Sequence, residues 1–333
     1  MPLNSKTIKN ILVCRNDRFG EFLLNIPAMR ALKETFPDAK IIAITDPYVK
    51  ELAGCIPFID EIICWNAKPH SFIERLKLIA ALRKKHFDIA VILNPTGEMH
   101  MLTALAGIPV RLGYDRKCGF LLTHRLKDRK HLEEKHEIAY NLDLVSLIGA
   151  KTNNLDLSLS INDDIIKQSM NLLELANVNP EGRSDNILAA IHPWTSDPVK
   201  KWPTANFLQL AQSLAQDPRL TVLIIGGKEE EDNAGIFKNA HSRIIDLTGK
   251  TSLTRLAAVL QRCALLISCD SGPVHLATAV KIPVLAIFRN DLPGKSALRW
   301  GPAGKNAFVI EDSRLENIPV NTVLDKAREI LSI

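Results

Sequence analysis

Apolar residues along the chain gather in short dense runs separated by longer stretches of helical spacing. "NILVCR" (10–15), "AKIIAITD" (39–46), "DEIICW" (60–65) and "FDIAVILN" (87–94) are nearly all apolar over strand length, which predicts buried strands. Between them, "SFIERLKLIAALRKKH" (71–86) carries the period of an amphipathic helix and "VKELAGC" that of a short one. "FLLNIPAMRALKETFP" also reads as a helix, with Pro27 an irregularity near its start. The alternation continues through "PTGEMHMLTALAGIPVRLGYDRK", with "VRLGY" as the next strand. Strand–helix alternation of this kind predicts a largely parallel sheet covered by helices on both faces.

The texture changes at 116–136, "RKCGFLLTHRLKDRKHLEEKH", a polar and basic segment expected to be a mobile loop. The helix "EIAYNLDLVSLIGA", the extended connector "KTNNLDLSLS" and the helix "DIIKQSMNLLELANV" follow. The polar stretch "NPEGRSDN" (179–186) reads as a domain boundary. The rhythm then restarts. "ILAAIHP", "LTVLIIGG", "RIIDL", "ALLISCD" and "VLAIF" predict strands. "TANFLQLAQSLAQ", "EEDNAGIFKNA", "SLTRLAAVLQRC", "GPVHLATAV" and "VNTVLDKAREILSI" predict helices. The expected organisation is two α/β domains, 1–178 and 187–333, facing a cleft. Ligands of such sheets bind beyond the carboxyl ends of the strands.

Composition narrows this picture. With 333 residues, 46% of them hydrophobic, the chain can bury two cores. A formal charge of +5 from 42 basic and 37 acidic side chains is too small to argue for nucleic acid, but suits anionic small molecules or an anionic surface. The six cysteines form no C-x-x-C pair and several sit in apolar runs, which predicts buried free thiols. "MPLNSKTIKN" lacks the apolar core of a signal peptide, and no apolar run reaches membrane-spanning length. The expectation is a cytoplasmic protein, soluble or peripherally bound.

Three polar turns interrupt the apolar rhythm where chemistry would sit. In "SCDSGPVHLATAV", Asp270 closes a strand, Ser271 and Gly272 form the strand-to-helix turn, and Pro273 and His275 lie in the first helical turns. Backbone N–H groups at such a turn make an anion site; the bland reading is an N-cap beside a core histidine. In "CRNDRFGEF", Gly20 permits close approach and Glu21 heads a helix, an ordinary place for a carboxylate. In "IHPWTSDPVKKWPTANF", His192 ends a strand, Thr195 and Ser196 can donate to phosphate, Lys200 and Lys201 carry charge, and Trp202 anchors the next helix. Solvated lysines are the alternative there.

Taken together, these pieces resemble the inverting lipopolysaccharide heptosyltransferases, glycosyltransferase family 9. The matching stretches are "RNDRFGEFLLNIPAMRALKETFPDAKI", "VRLGYDRKCGFLLT", "HPWTSDPVKKWP", "LIIGGKEE", the run from "LTGKTSLTRL" to "VLAIF", and "GP" at 301–302, in order over nearly the whole chain. The resemblance implies a GT-B glycosyltransferase fold of two Rossmann-like domains, the first for acceptor and the second for a nucleotide sugar, with the final helix often crossing back over the first. It implies that Asp270, Ser271, Gly272, Pro273 and His275 hold the diphosphate and nearby sugar, and that Lys200, two before Trp202, neutralises phosphate ahead of Lys201. Glu229 and Glu230 are equal candidates for a ribose contact. One position departs from the family pattern: Gly20 is followed by Glu21 where the family has Asp as the base. Glutamate reaches one methylene farther, and Asp17 in the same turn is the rival base.

The reaction so implied is one displacement at the anomeric carbon, inverting it, with heptose moving from ADP-heptose or a related nucleotide sugar to a lipopolysaccharide core or similar acidic glycolipid. No Asp-x-Asp pair stands beside the expected diphosphate site, so no metal or other cofactor is expected. His131 and His136 do not have the spacing of a metal motif. Arg116, Lys117, Arg125, Lys127, Arg129 and Lys130 would suit an acidic glycolipid and peripheral contact with the cytoplasmic face of the inner membrane, or form a merely solvated loop. An oxidoreductase would need a glycine-rich fingerprint that "CRNDRFGEF" lacks. A glycosyltransferase with another donor and acceptor, a retaining enzyme or epimerase, and a non-catalytic nucleotide-sugar binder remain alternatives; nucleic acid has no supporting motif.

Overall fold

The structure is a computed structural model that describes residues 5–179 and 186–333. Contacts divide the chain into two compact units, Met1–Ser160 and Ile161–Ile333. The boundary expected at 179–186 lies, from 180 to 185, outside the described residues. The observed division falls earlier because a helix at Asp163–Leu175 packs within the second unit.

In the first unit, strands β1 (Asn10–Cys14), β2 (Lys40–Thr45), β3 (Glu61–Cys64), β4 (Ile89–Ile92), β5 (Val110–Tyr114) and β6 (His124–Leu126) form one sheet in the order β3-β2-β1-β4-β5-β6. Every pairing is parallel. The central strands are buried on both faces, which is why their sequences are apolar runs. Helices α1 (Phe19–Leu23), α2 (Ile26–Thr35), α3 (Lys50–Ala53), α4 (Phe72–Lys84), α5 (Gly97–Leu105) and α6 (Glu137–Ser146) make the connections. The single helix expected after β1 is two. Pro27 cannot donate to residue 23 and would crowd its carbonyl, so it takes the first turn of a new helix. The Asn25 amide donates to the carbonyls of Glu21 at 2.7 Å and Phe22 at 3.1 Å, closing α1. Helix α4 starts with a capping box, Ser71 against Glu74.

The segment expected as a mobile loop is ordered structure. It contributes edge strand β6 and two 3₁₀ turns, Gly119–Leu121 and Lys130–Leu132.

The second unit holds helix α7 (Asp163–Leu175) and strands β7 (Ile187–His192), β8 (Leu220–Ile224), β9 (Ile244–Asp246), β10 (Leu265–Cys269), β11 (Val284–Arg289) and β12 (Ala307–Asp312). Their order is β12-β11-β10-β7-β8-β9, again all parallel. Numbered from its own first strand this is the order of the first sheet. Helices α8 (Thr204–Leu214), α9 (Leu253–Leu260), α10 (Gly272–Ala279), α11 (Ala297–Trp300) and α12 (Val320–Leu331) complete it. "EEDNAGIF" lies in a 3₁₀ run, Lys228–Phe237, instead of the α-helix expected. The apolar face of the final helix (Val320, Val323, Leu324, Ala327 and Leu331) joins the core of its own unit with Trp202 and Phe207.

Candidate active site

Doubly wound sheets place ligands where the strand order reverses, beyond the carboxyl ends of the two strands flanking that point. These are β1 with β4 in the first unit and β7 with β10 in the second. The three polar turns singled out by sequence stand there.

Beyond β1, Arg15 is buried and ties the turn to the fold. Its Nε donates to Asp17 Oδ1 at 2.7 Å and one Nη to the Leu93 carbonyl after β4 at 3.3 Å. The same guanidinium lies 3.6 Å from the buried Glu137 carboxylate at the start of α6. Lys130 Nζ reaches that carboxylate at 2.6 Å and sits 4.3 Å from the centre of the Tyr114 ring. Asp17 is therefore committed to Arg15. Glu21, in the first turn of α1, is half-buried. Burial pushes its carboxyl above the usual carboxylate range, against a lowering by Arg15; Asp17 adds to the rise and Arg18 opposes it. Tyr48 accepts the Phe19 N–H at 2.9 Å beside this turn, and burial raises its phenol to about 12.

Next to this turn, the Asn16 amide donates to the Asn66 carbonyl at 3.2 Å, while its Oδ1 is buried without a partner. The Trp65 and His70 rings stack with centroids 3.5 Å apart. Glu98, in the first turn of α5, accepts from Arg75 Nε at 2.8 Å and from Trp65 Nε1 at 3.4 Å. Sequence reading did not single out this cluster.

Beyond β7 and β10 the second set converges. Lys200 Nζ pairs with Asp270 Oδ2 across 70 positions of sequence. Ser271 precedes α10 in extended conformation, but its hydroxyl does not cap the helix. It lies 2.8 Å from Ser268 Oγ and 3.2 Å from His192 Nδ1, and Ser268 Oγ is 3.1 Å from the same nitrogen. Burial depresses His192 to about 3, so its ring is neutral near pH 7. Gly272 heads α10, and Pro273 and His275 are buried in its first turns. The loop carrying Lys200 is fastened by Lys295 on Asp197 and by Arg289 Nη1 on the Val199 carbonyl at 3.4 Å. Behind it, Trp202 Nε1 donates to the Ile318 carbonyl at 3.1 Å.

The adjoining turns after β8 and β9 need their glycines. A Cβ on Gly226 would lie 2.5 Å from Trp194 Nε1. Gly249 has φ +72, and a Cβ there would meet the Glu231 carboxylate. Trp194 Nε1, Thr248 Oγ1 and Glu230 Oε2 are buried around this turn without hydrogen-bond partners. Burial and the neighbouring Glu229 raise the Glu230 carboxyl.

Lys200, Asp270, Ser271 and Gly272 thus stand together. Thr195 accepts the Asp197 N–H at 3.3 Å in the Lys200 loop, and Ser196 is exposed beside it. Glu229 is exposed and Glu230 half-buried in the turn after β8, while Lys201 lies 5.8 Å from the Trp194 ring. Lys130, expected among the basic residues open to an acceptor, is buried in an ion pair. Arg116 and Arg125 are exposed but paired with Asp128 and Asp115. The residues that sequence reading missed, Arg15 and Glu137 above all, pair across 122 positions, which only the topology reveals. Among the described residues no group of three or more His, Cys, Asp or Glu is placed to hold a metal.

Comparison with known proteins supplies a family. The profile described as "Glycosyltransferase family 9 (heptosyltransferase)" matches residues 75–326. The chain is 25% identical over 330 residues to lipopolysaccharide heptosyltransferase 3 of Escherichia coli K12, covering 94% of this chain and 91% of that protein. It is 23% identical over 298 residues to lipopolysaccharide heptosyltransferase 2 of the same strain, covering 85% and 83%. Among solved structures, a family 9 glycosyltransferase from Veillonella parvula superposes with TM-score 0.86 at 22% identity, covering 97% of both chains. E. coli ADP-heptose LPS heptosyltransferase II does so with TM-score 0.80 at 21% identity, covering 98% of this chain and 99% of that one. The shared architecture is the two-domain parallel α/β arrangement of GT-B glycosyltransferases.

Proposed function

This chain belongs to glycosyltransferase family 9, and from that premise we propose that it moves heptose from ADP-heptose to a lipopolysaccharide core or similar acidic glycolipid, inverting the anomeric carbon without a metal ion. At the level of the family, the activity is sugar transfer from a nucleoside-diphosphate sugar to a glycan. The finer reading rests on the relatives' specificities and on this chain's own residues.

The observation that carries it is the Lys200–Asp270 pair at the mouth of α10. A diphosphate leaving group gains negative charge as the glycosidic C–O bond breaks. An ammonium held in place, with the Gly272 N–H at a helix start, stabilises that charge without a cation. Asp270 keeps Lys200 positioned until phosphate competes for it. In the first unit, Glu21 takes the proton of the acceptor hydroxyl while that oxygen bonds to the anomeric carbon. A carboxyl raised by burial is a better acceptor for that proton than an exposed one. Asp17, held by Arg15, is the weaker choice. The donor, together with free and mostly buried cysteines, fits a cytoplasmic setting; no helix among the described residues is long and apolar enough to cross a membrane.

Calorimetric titration with ADP, UDP and GDP tests the donor reading. ADP should bind tightest, equally well in EDTA, and about a hundredfold more weakly to Lys200→Ala. Tighter UDP or GDP binding moves the donor to another sugar, and loss of binding in EDTA removes the metal-free mechanism.

A further inference from the structure

Strands β7 and β10 pair so that His192 stands opposite Ser268 at their carboxyl ends. Two hydroxyls and one ring nitrogen meet there. Ser268 Oγ is 3.1 Å from His192 Nδ1, Ser271 Oγ is 3.2 Å from the same nitrogen, and the two hydroxyl oxygens are 2.8 Å apart. Ser268 also donates to the His192 carbonyl at 3.2 Å. Ser268 is fully buried, whereas Ser271 is half-buried, follows Asp270 and does not spend its oxygen on capping α10. Serine beside histidine is the geometry of an activated nucleophile, but a ring depressed to about 3 by burial is a poor base near pH 7. The neutral ring still carries one proton, and the place of that proton decides where the hydroxyl protons go.

A neutral imidazole holds its proton on Nδ1 or on Nε2, and its neighbours select which. With the proton on Nε2, Nδ1 and the His192 carbonyl are both acceptors, and Ser268 has one proton for the two. Ser271 then turns its own proton inward to Nδ1, or one of those bonds is lost. With the proton on Nδ1, the ring donates to the serine oxygens and Ser268 keeps the carbonyl. The Ser271 proton is then free for a ligand at the mouth of α10, next to the Lys200–Asp270 pair, and no bond is given up. We propose that His192 is a positioning residue whose Nδ1–H keeps the Ser271 hydroxyl turned outward, as a donor to the diphosphate that leaves when the sugar is transferred. This rests on the reading of the Lys200 site as the seat of that diphosphate. A hydroxyl already aimed needs no reorientation as charge builds on the leaving oxygen, so its contribution falls in the transition state.

Heteronuclear NMR of the full chain labelled at its histidine ring nitrogens, near pH 7 and with His192→Asn to assign the signals, tests the tautomer without any substrate. The proton should be found on Nδ1. Transfer kinetics test what it does. His192→Leu should lower kcat about tenfold or more while the donor KM changes less than about threefold. His192→Asn, whose amide N–H stands in the place of Nδ1–H, should recover most of that loss. In a Ser271→Ala background, His192→Leu should add little, because the effect passes through that hydroxyl. A His192→Leu chain that does not fold leaves the NMR reading and His192→Asn to decide. A ring protonated on Nε2, equal losses for His192→Asn and His192→Leu, or losses that add to that of Ser271→Ala overturn the proposal and leave the donor reading standing. Turnover of a UDP- or GDP-sugar in place of ADP-heptose overturns the donor reading alone, since the same cycle is then measured on that sugar. Turnover of no nucleotide sugar overturns both.

Discussion

Two carboxylates share the turn after β1, and their partners separate them. Asp17 is ion-paired with a buried guanidinium, whereas the Glu21 carboxyl is raised by burial. A base must be ionised to work, so the acid limb of kcat/KM should lie above the ordinary carboxylate range. Replacing Glu21 by Gln should remove that limb and lower kcat about 10²–10⁴-fold. Arg15 opposes the rise in Glu21, so Arg15→Gln should move the limb to still higher pH; an unmoved limb would make Arg15 purely structural. His192 gives a second dependence. Its folded-state value, about 3, is below the ordinary 6.5, so its contribution to stability is complete above pH 6.5 and is lost as pH falls toward 3. About 5 kcal/mol at most is at stake across that window. Denaturant titrations from pH 7 to 4 should show a slope that His192→Asn flattens.

Among the elements, the segment 116–136 shows what patterning misses. Its many charges read as solvated loop, yet Lys130 and Glu137 form a buried pair that fastens it against Tyr114. Removing one partner of a buried pair costs about 3–5 kcal/mol. Glu137→Ala should therefore lower the melting temperature by roughly 6–20 °C, while Lys127→Ala should change it little. Strands β6 and β12 escaped prediction for a related reason. Both are edge strands with partly exposed side chains, so they lack the apolar run that marked β1 or β10. The Gly226 turn is the reverse case. Its glycines were visible, but not the indole that fills the space where a Cβ would stand. Gly226→Ala should weaken ADP binding by displacing Trp194, in a titration beside the wild type.

At the scale of the whole molecule, the same strand order occurs twice, and each reversal point carries one of the two residue groups proposed for the transfer. The position of these groups was legible, because strand ends are where apolar runs stop and Asp270, Ser271, Lys200 and Glu21 begin. Pairings such as Arg15 with Glu137, or His192 with Ser268 and Ser271, were not. They join residues far apart in sequence whose own neighbourhoods look ordinary.

We propose that Glu21 and the Lys200 site drive an inverting, metal-free transfer from ADP-heptose. The direct measurement is ADP release and product anomeric configuration, by NMR, with ADP-heptose and a heptose-deficient core acceptor in EDTA. The wild type should form an inverted linkage, and Glu21→Gln should bind ADP normally yet turn over at least about a hundredfold more slowly. Retention of configuration, dependence on added metal, or an undiminished Glu21→Gln rate would contradict the account.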